Sequence, residues 1–241
     1  MKDDKKILDH DVKNKISVMF DNIAFRYDFL NHFLSFGIDR IWRRKAIEII
    51  GKTHNHPRII DIATGTADLA IAAMKLEPVH IIGIDISQKM LDKGKEKIRR
   101  KGLSGKIDLV QCDSEKISFK DDSFDVAMVA FGVRNFSDPV KGLSEMRRVV
   151  RKGGLIMVLE FSKPSGFPFK QLYNFYFLKI IPVIGKLFSK NNIAYRYLPE
   201  SVMQFPDNEQ FTELMKNAGF TNISQKKLTC GVASIYTGLK F

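Results

Sequence analysis

A chain of 241 residues, 44% hydrophobic and 27% charged, is long enough to bury a sizeable core and has the balance of a soluble globular protein. Its 39 Lys+Arg against 27 Asp+Glu leave a net charge of +12, which favours an anionic partner, either nucleic acid or an anionic membrane face, without naming one. Two distant cysteines, Cys112 and Cys230, argue against a disulfide framework and a thiolate metal site; no signal peptide is evident in the charged N-terminus, and no run reaches the roughly 18 apolar residues of a membrane span, so a cytoplasmic protein is expected.

Residues 1–12 are polar. From Asp11 to Leu34 the positions Val12, Ile16, Met19, Phe20 and Ile23 keep helical spacing, and an aromatic run from Tyr27 leads to a predicted helix over 38–50 that carries the single Trp42. This prelude, 1–56, is read as a helical lid, with packing of helices on a sheet the plainer alternative for most of its aromatics. The stretch Ile59 to Ala73 follows. Its β-branched run predicts a buried strand, Thr64-Gly65-Thr66 a tight turn, and the alanine-rich remainder a helix from about Asp68. A second strand over 79–84 ends in Asp85. Ser87 is the expected N-cap of a helix over 88–101 that Gly102 stops. Strands over 107–111 and 124–131 run into Cys112-Asp113-Ser114 and Gly132-Val133-Arg134-Asn135. A helix over 139–150 then turns at Lys152-Gly153-Gly154 into a strand over 155–160.

Strands alternating with helices predict a parallel sheet covered on both faces, with ligands bound beyond the carboxyl ends of its strands. That rule gathers Thr64 to Thr66, Asp85, Asp113, the 131–135 segment and Glu160 on one rim. The rhythm breaks over 163–200, where Phe167, Phe169, Tyr173, Phe175, Tyr176 and Phe177 are interleaved with Lys170, Lys179, Lys186 and Lys190. With Pro182 the segment is too short and too charged to span a bilayer. A helical insertion covering an apolar pocket or lying at a membrane interface fits it, as does a buried helix pair. An amphipathic helix over 207–218 and two strands, 221–228 and 234–239, close the chain. The short connection between those strands predicts an antiparallel pair at the sheet edge.

The strand–glycine turn–helix corner predicts an adenosine-containing cofactor, and its residue types discriminate between candidates. A dinucleotide needs the G-x-G-x-x-G spacing that lets a pyrophosphate reach the helix N-terminus, whereas Gly65 is the only glycine of this loop. S-adenosylmethionine carries no phosphate. Asp61 and Asp68 suit its ammonium, Thr66 (beside Thr64 and Gly65) its carboxylate, Asp85 its ribose diol, and Asp113 with the Ser114 backbone its adenine. Any one of these aspartates alone would more simply be a helix cap or loop residue.

Further motifs carry a family resemblance over essentially the whole chain. Tyr27-Asp28-x-x-Asn31-x-x-Leu34-Ser35 followed by Trp42 resembles the N-terminal signature of the ubiquinone/menaquinone biosynthesis C-methyltransferases. Arg148-Val149-Val150-Arg151-Lys152-Gly153-Gly154, running to Glu160-Phe161-Ser162, resembles their second signature, and Phe131-Gly-Val-Arg-Asn135 is similar to their substrate-side motif. Asp39 and Lys152 depart from the residues usual in that family, and Ala67 replaces a common second glycine. The resemblance implies an α/β fold of the class I S-adenosylmethionine-dependent methyltransferase type. Its Rossmann-like doubly wound sheet is mostly parallel with an antiparallel edge strand, and carries N-terminal helices and a helical insertion. One domain is expected, comprising the lid 1–56, a cofactor core 57–162, the insertion 163–200 and a C-terminal helix with edge strands 201–241.

The implied reaction is methyl transfer from S-adenosylmethionine to a ring carbon of a membrane-borne polyprenyl quinol such as demethylmenaquinol, with the benzoquinol of the ubiquinone pathway left open. Removing a quinol hydroxyl proton makes the ring carbon nucleophilic, so the site needs a proton acceptor and a donor for the oxyanion. Arg134, through its charge and a bound water, and Asn135, as hydrogen-bond partner, are assigned to that oxygen; Arg134 pairing with a structural carboxylate is the competing assignment. Tyr27 and Asp28 are read as closing over the methyl donor, Glu160 as a strand-end carboxylate, and His32 as the nearest histidine. No metal is expected, since His54 and His56 lack partners at ligand spacing. The aromatic insertion and its lysines are expected to contact the anionic inner face of the cell membrane, which accounts for the charge without nucleic acid; homo-oligomerisation is left open. The alternatives are another S-adenosylmethionine-dependent methyltransferase of small molecules or lipids, an RNA-binding or RNA-methylating protein, and a non-catalytic NAD-binding module.

Overall fold

The computed structural model describes residues 16–21, 24, 35, 37–180 and 193–241. Half of the lid, with Tyr27, Asp28, Asn31, His32 and Leu34, and the part of the insertion holding Pro182, Lys186 and Lys190 lie outside the described residues. A helical turn at 16–21 is followed by α1 (Ile38–Gly51), β1 (Arg58–Ile62), α2 (Asp68–Ala73), β2 (His80–Asp85), α3 (Gln88–Arg100), β3 (Ile107–Gln111) and β4 (Phe124–Ala130). Then come α4 (Pro139–Val149), β5 (Val150–Phe161), α5 (Phe169–Phe175), α6 (Ile193–Gln204), α7 (Glu209–Asn217), β6 (Thr221–Leu228) and β7 (Ala233–Leu239).

The seven strands form one sheet in the order β3-β2-β1-β4-β5-β7-β6. β1 to β5 are parallel, and β7 runs antiparallel to both β5 and β6. The expected antiparallel pair is therefore present, with its reversed member one place in from the edge. Lys152-Gly153-Gly154 is not a turn before β5, as the sequence had suggested, but an irregularity inside it. Pairing with β4 shifts register between Phe124 and Val126, and Gly153 absorbs the distortion at φ 76°. Among the described residues no helix is long and apolar enough to cross a membrane.

Strand residues feed two cores alternately, as a sheet covered on both faces requires. Ile59, Ile81, Val126, Met128 and Met157 pack under Trp42, Ala46 and Ile50 of α1 and Leu91 of α3. Ile60, Ile62, Ile84, Val129 and Val158 pack under Leu143 and Met146 of α4 and Phe211 of α7. α4 is set by Asp138, which caps it by accepting from the Lys141 amide at 3.0 Å, and by Pro139 in its first turn.

Strand order reverses between β1 and β4, and there the two chain segments nearly touch. A Cβ on Gly132 would lie 2.6 Å from the Ala63 Cβ. Around this switch point Ala63, Ala67 and Phe131 hold φ of 50°, 68° and 57°, a region that costs an L-residue roughly 1–2 kcal/mol. Asp61 holds the strained corner together. Its fully buried carboxylate accepts through Oδ2 from the Thr64 hydroxyl at 2.6 Å and from the Ala70 amide at 3.1 Å, joining β1, the turn and α2.

Burial pushes the Asp61 carboxyl up to about 7, against the opposing pull of those two hydrogen bonds. Its native pKa lies above the ordinary unfolded value of about 3.9, so the linked stability is complete below that value and is lost as pH rises through about 7. The melting temperature of the natural chain is thus expected to fall relative to that of Asp61→Asn as pH rises from about 5 to about 8. Parallel melting curves for the two proteins over that window would show that the carboxyl is not held protonated.

Candidate functional site

The carboxyl ends of β1, β2, β3 and β4 open into a cleft at the switch point, where doubly wound sheets bind ligands. Gly65, Asp85, Asp113, Ser114, Gly132 and Asn135 line it, and Ile16 and Phe20 of the N-terminal helical turn cover one side. A second cleft adjoins it, lined by Arg43, Asp61, Thr64, Thr66 and Asp68. Ala63, Gly65 and Phe131 line both, so the glycine turn stands between two halves of one region. All the cofactor residues singled out from the sequence are brought here, divided between the halves.

Asp85 is fixed by the backbone it faces. Oδ2 accepts from the Gly65 amide at 2.8 Å and Oδ1 from the Ser87 amide at 2.9 Å, which ties the end of β2 to the glycine turn and the start of α3. Burial raises its pKa, with the amide hydrogen bonds acting the other way. Ser87 accepts from the Met90 amide at 3.2 Å, the expected N-cap. Asp113 accepts from the Glu115 amide at 2.9 Å, and buried Glu115 in turn accepts from the Ser137 and Asp138 amides at 2.7 and 3.1 Å. The loops after β3 and β4 are thereby joined. Sequence reasoning missed Glu115 although it directly follows Asp113-Ser114.

In the second half, Lys97 of α3 donates to the Thr66 hydroxyl at 3.0 Å and to Asp68 at 2.7 Å. Arg43 of α1 pairs with Asp39 and stands 3.8 Å from the other Asp68 oxygen. Neither cation was singled out from the sequence, although Asp39 and Arg43 have the i,i+4 spacing of a helical ion pair. Thr66 and Asp68 are thus already engaged by Lys97. Asp61 is too deep to be a surface ligand, but its Oδ1 is buried without a partner, an acceptor that a donor from the cleft would satisfy.

This acceptor-rich set fits a ligand that offers a diol, an amino group and an ammonium. A pyrophosphate at the N-terminus of α2 would instead meet the Asp61 and Asp68 carboxylates. Among the described residues no group of three His, Cys, Asp or Glu side chains could hold a metal ion.

The 131–135 segment forms the far wall. Arg134 does not extend freely into the cleft. Its Nη1 pairs with Oε1 of fully buried Glu160 at 2.8 Å and also donates to the Phe131 carbonyl; the guanidinium lies over the Phe161 ring at 5.4 Å, and Nε is buried without a partner. Phe161 belongs to an aromatic stack with Phe131 (4.7 Å), Trp42 (6.1 Å) and Phe177 of the insertion (6.0 Å). The Trp42 indole donates to the Thr229 hydroxyl at 2.8 Å. Asn135 lines the cleft itself, and its Oδ1 accepts from the Tyr197 hydroxyl at 2.9 Å.

Comparison with known proteins agrees with this geometry. Residues 9–240 match the ubiE/COQ5 methyltransferase family. A Geotalea daltonii protein named ubiquinone/menaquinone biosynthesis C-methyltransferase UbiE is 51% identical over 94% of this chain and 96% of its own length. A Bacteroides fragilis demethylmenaquinone methyltransferase is 47% identical over 94% of this chain and 92% of its own. Among solved structures, an S-adenosylmethionine-dependent methyltransferase from Thermotoga maritima aligns with TM-score 0.64 at 18% identity, covering 92% of this chain and 98% of that one. One from Aquifex aeolicus aligns at 0.60 and 15%, covering 82% and 89%. These structural likenesses establish the fold and the sequence matches the kinship: this chain belongs to the ubiE/COQ5 methyltransferase family.

Proposed function

We propose that the protein transfers a methyl group from S-adenosylmethionine to a ring carbon of a prenylated quinol, with demethylmenaquinol as the substrate. The observation that carries this reading is 47% identity, over 94% of the chain, to a relative named for that reaction. The two-part region around Gly65 supports it. Asp85 and Asp113–Ser114 line one half, suited to ribose and adenine; Asp61, Thr64, Thr66 and Asp68 line the other, suited to the amino-acid end. When bound, S-adenosylmethionine supplies a methyl group already activated by the positive sulfur beside it.

The chain's own residues then have two tasks, to orient the quinol and to stabilise charge on its oxygen. In this reading Asn135 donates to that oxygen; its place in the lining of the cleft supports the assignment. A guanidinium is a poor base, and the pairing of Arg134 with Glu160 cancels most of its long-range field. What it offers is local: a 131–135 wall held rigid by its pairing with Glu160 and by its hydrogen bond to the Phe131 carbonyl. Arg134→Ala would strand the Glu160 charge at a cost of roughly 3–5 kcal/mol, so loss of activity there would mix folding with chemistry.

Contact with an anionic membrane surface is part of the proposal. Phe169, Leu172 and Phe175 of α5 are 47%, 61% and 60% exposed and Phe167 just before it 83%, while Tyr173 and Phe177 pack inward and stack at 4.3 Å. Lys170 and Lys179 are exposed within the same segment. Each lysine adds only about 1 kcal/mol at an anionic surface, so insertion of the apolar side chains has to supply most of the binding.

Three outcomes test this reading. Asp85→Ala is expected to weaken S-adenosylhomocysteine binding at least tenfold by calorimetry, about 1.4 kcal/mol, while NADH binds neither protein. Unchanged affinity would remove Asp85 from the cofactor site. Asn135→Ala is expected to keep S-adenosylhomocysteine affinity and to lose at least tenfold in kcat for methylation of a short-chain demethylmenaquinol, about 1.4 kcal/mol; full turnover would remove Asn135 from the mechanism. In flotation with anionic vesicles the protein is expected to rise with the lipid. Phe167→Asp combined with Phe175→Asp should abolish recruitment, and Lys170→Ala should only weaken it. No recruitment of the natural chain at low salt would contradict membrane contact.

A further inference from the structure

We propose that Tyr197 is a positioning residue for methyl transfer: it fixes the side-chain amide of Asn135 with its NH2 group toward the cleft. The inference rests on the assignment of Asn135 to the quinol oxygen and goes beyond it to what sets that group's orientation. Tyr197 lies on α6, 62 residues beyond Asn135, and donates its hydroxyl to Asn135 Oδ1 at 2.9 Å. The two residues face different spaces. Asn135 lines the cofactor cleft, whereas Tyr197 lines a neighbouring cavity of about 280 Å³ with Arg134, Ser201 and Phe205. The Val133–Asn135 turn is thus a thin wall, with the hydrogen bond made at its edge.

An asparagine amide has an acceptor end and a donor end on opposite sides, and only hydrogen bonding decides which faces a ligand. Here the acceptor end is occupied by Tyr197, and no hydrogen bond among the described residues engages Nδ2. The donor end is left for the cleft. An amide flipped the other way would point its oxygen at the quinol oxygen as negative charge develops there, raising the barrier. A phenol hydroxyl can donate or accept, and in this structure it donates to Oδ1; burial raises its pKa, so it keeps the proton it donates. The same bond makes the site sensitive to the insertion: α6 has to be seated on the Val133–Asn135 turn before the amide is fixed.

Tyr197→Phe removes the hydroxyl and little else. Its kcat with a short-chain demethylmenaquinol is expected to fall five- to fiftyfold, with S-adenosylhomocysteine affinity and KM for S-adenosylmethionine unchanged. A structural role would lower the melting temperature without that selective loss. The double variant Tyr197→Phe, Asn135→Ala distinguishes the two levels of the argument, because a residue acting only through Asn135 adds nothing once Asn135 is gone. Turnover of the double variant equal to that of Asn135→Ala alone supports the proposal. Losses that multiply overturn it, as does full kcat for Tyr197→Phe while Asn135→Ala is impaired. Full activity of Asn135→Ala would instead overturn the underlying assignment of Asn135.

Discussion

One buried carboxylate holds the site in shape. Asp61 receives the Thr64 hydroxyl and the Ala70 amide, so the end of β1, the glycine turn and the start of α2 move as one piece. The corner needs such a lock, because Ala63 and Ala67 sit in left-handed backbone where glycine would be relaxed. Asp85 extends the lock sideways by accepting from Gly65 and Ser87. The cleft therefore has walls fixed by backbone hydrogen bonds, as a site that must align two reactants requires.

The opposite wall depends on a second buried pair, Arg134 with Glu160, which pins the end of β4 to the end of β5. Phe161 beneath the guanidinium and Phe131 beside it continue into Trp42 on one side and Phe177 on the other. One aromatic stack thus joins α1, the sheet ends and the insertion. These rings run in contact from the insertion to the 131–135 wall, and the Tyr197–Asn135 hydrogen bond is a polar link between the same parts.

What could be read from the sequence was whatever is local. The run Ile59–Ile62, the turn at Gly65, the Ser87 cap and the Gly102 stop each act within a few residues, and all appear where expected. The rim that gathers Asp85, Asp113 and the 131–135 segment followed from alternating strands and helices alone, because parallel crossovers force those ends together. What was illegible depends on register between distant segments. Lys97 looks like one more surface lysine of an amphipathic helix, yet it reaches Asp68 across 29 residues. Arg134 and Glu160 were placed on the same rim, but the pairing that withdraws Arg134 from the cleft needs β4 and β5 side by side. The insertion of β7 between β5 and β6 has no signature in a chain that reads only as two consecutive strands.

The central claim is that this chain places the ring methyl on a prenylated quinol, and the quinone pool of cells lacking it tests that most directly. Mass spectrometry of lipid extracts from a deletion strain is predicted to show demethylmenaquinone in place of menaquinone, reversed by the natural chain. A deletion strain whose menaquinone keeps its ring methyl in full would contradict the account.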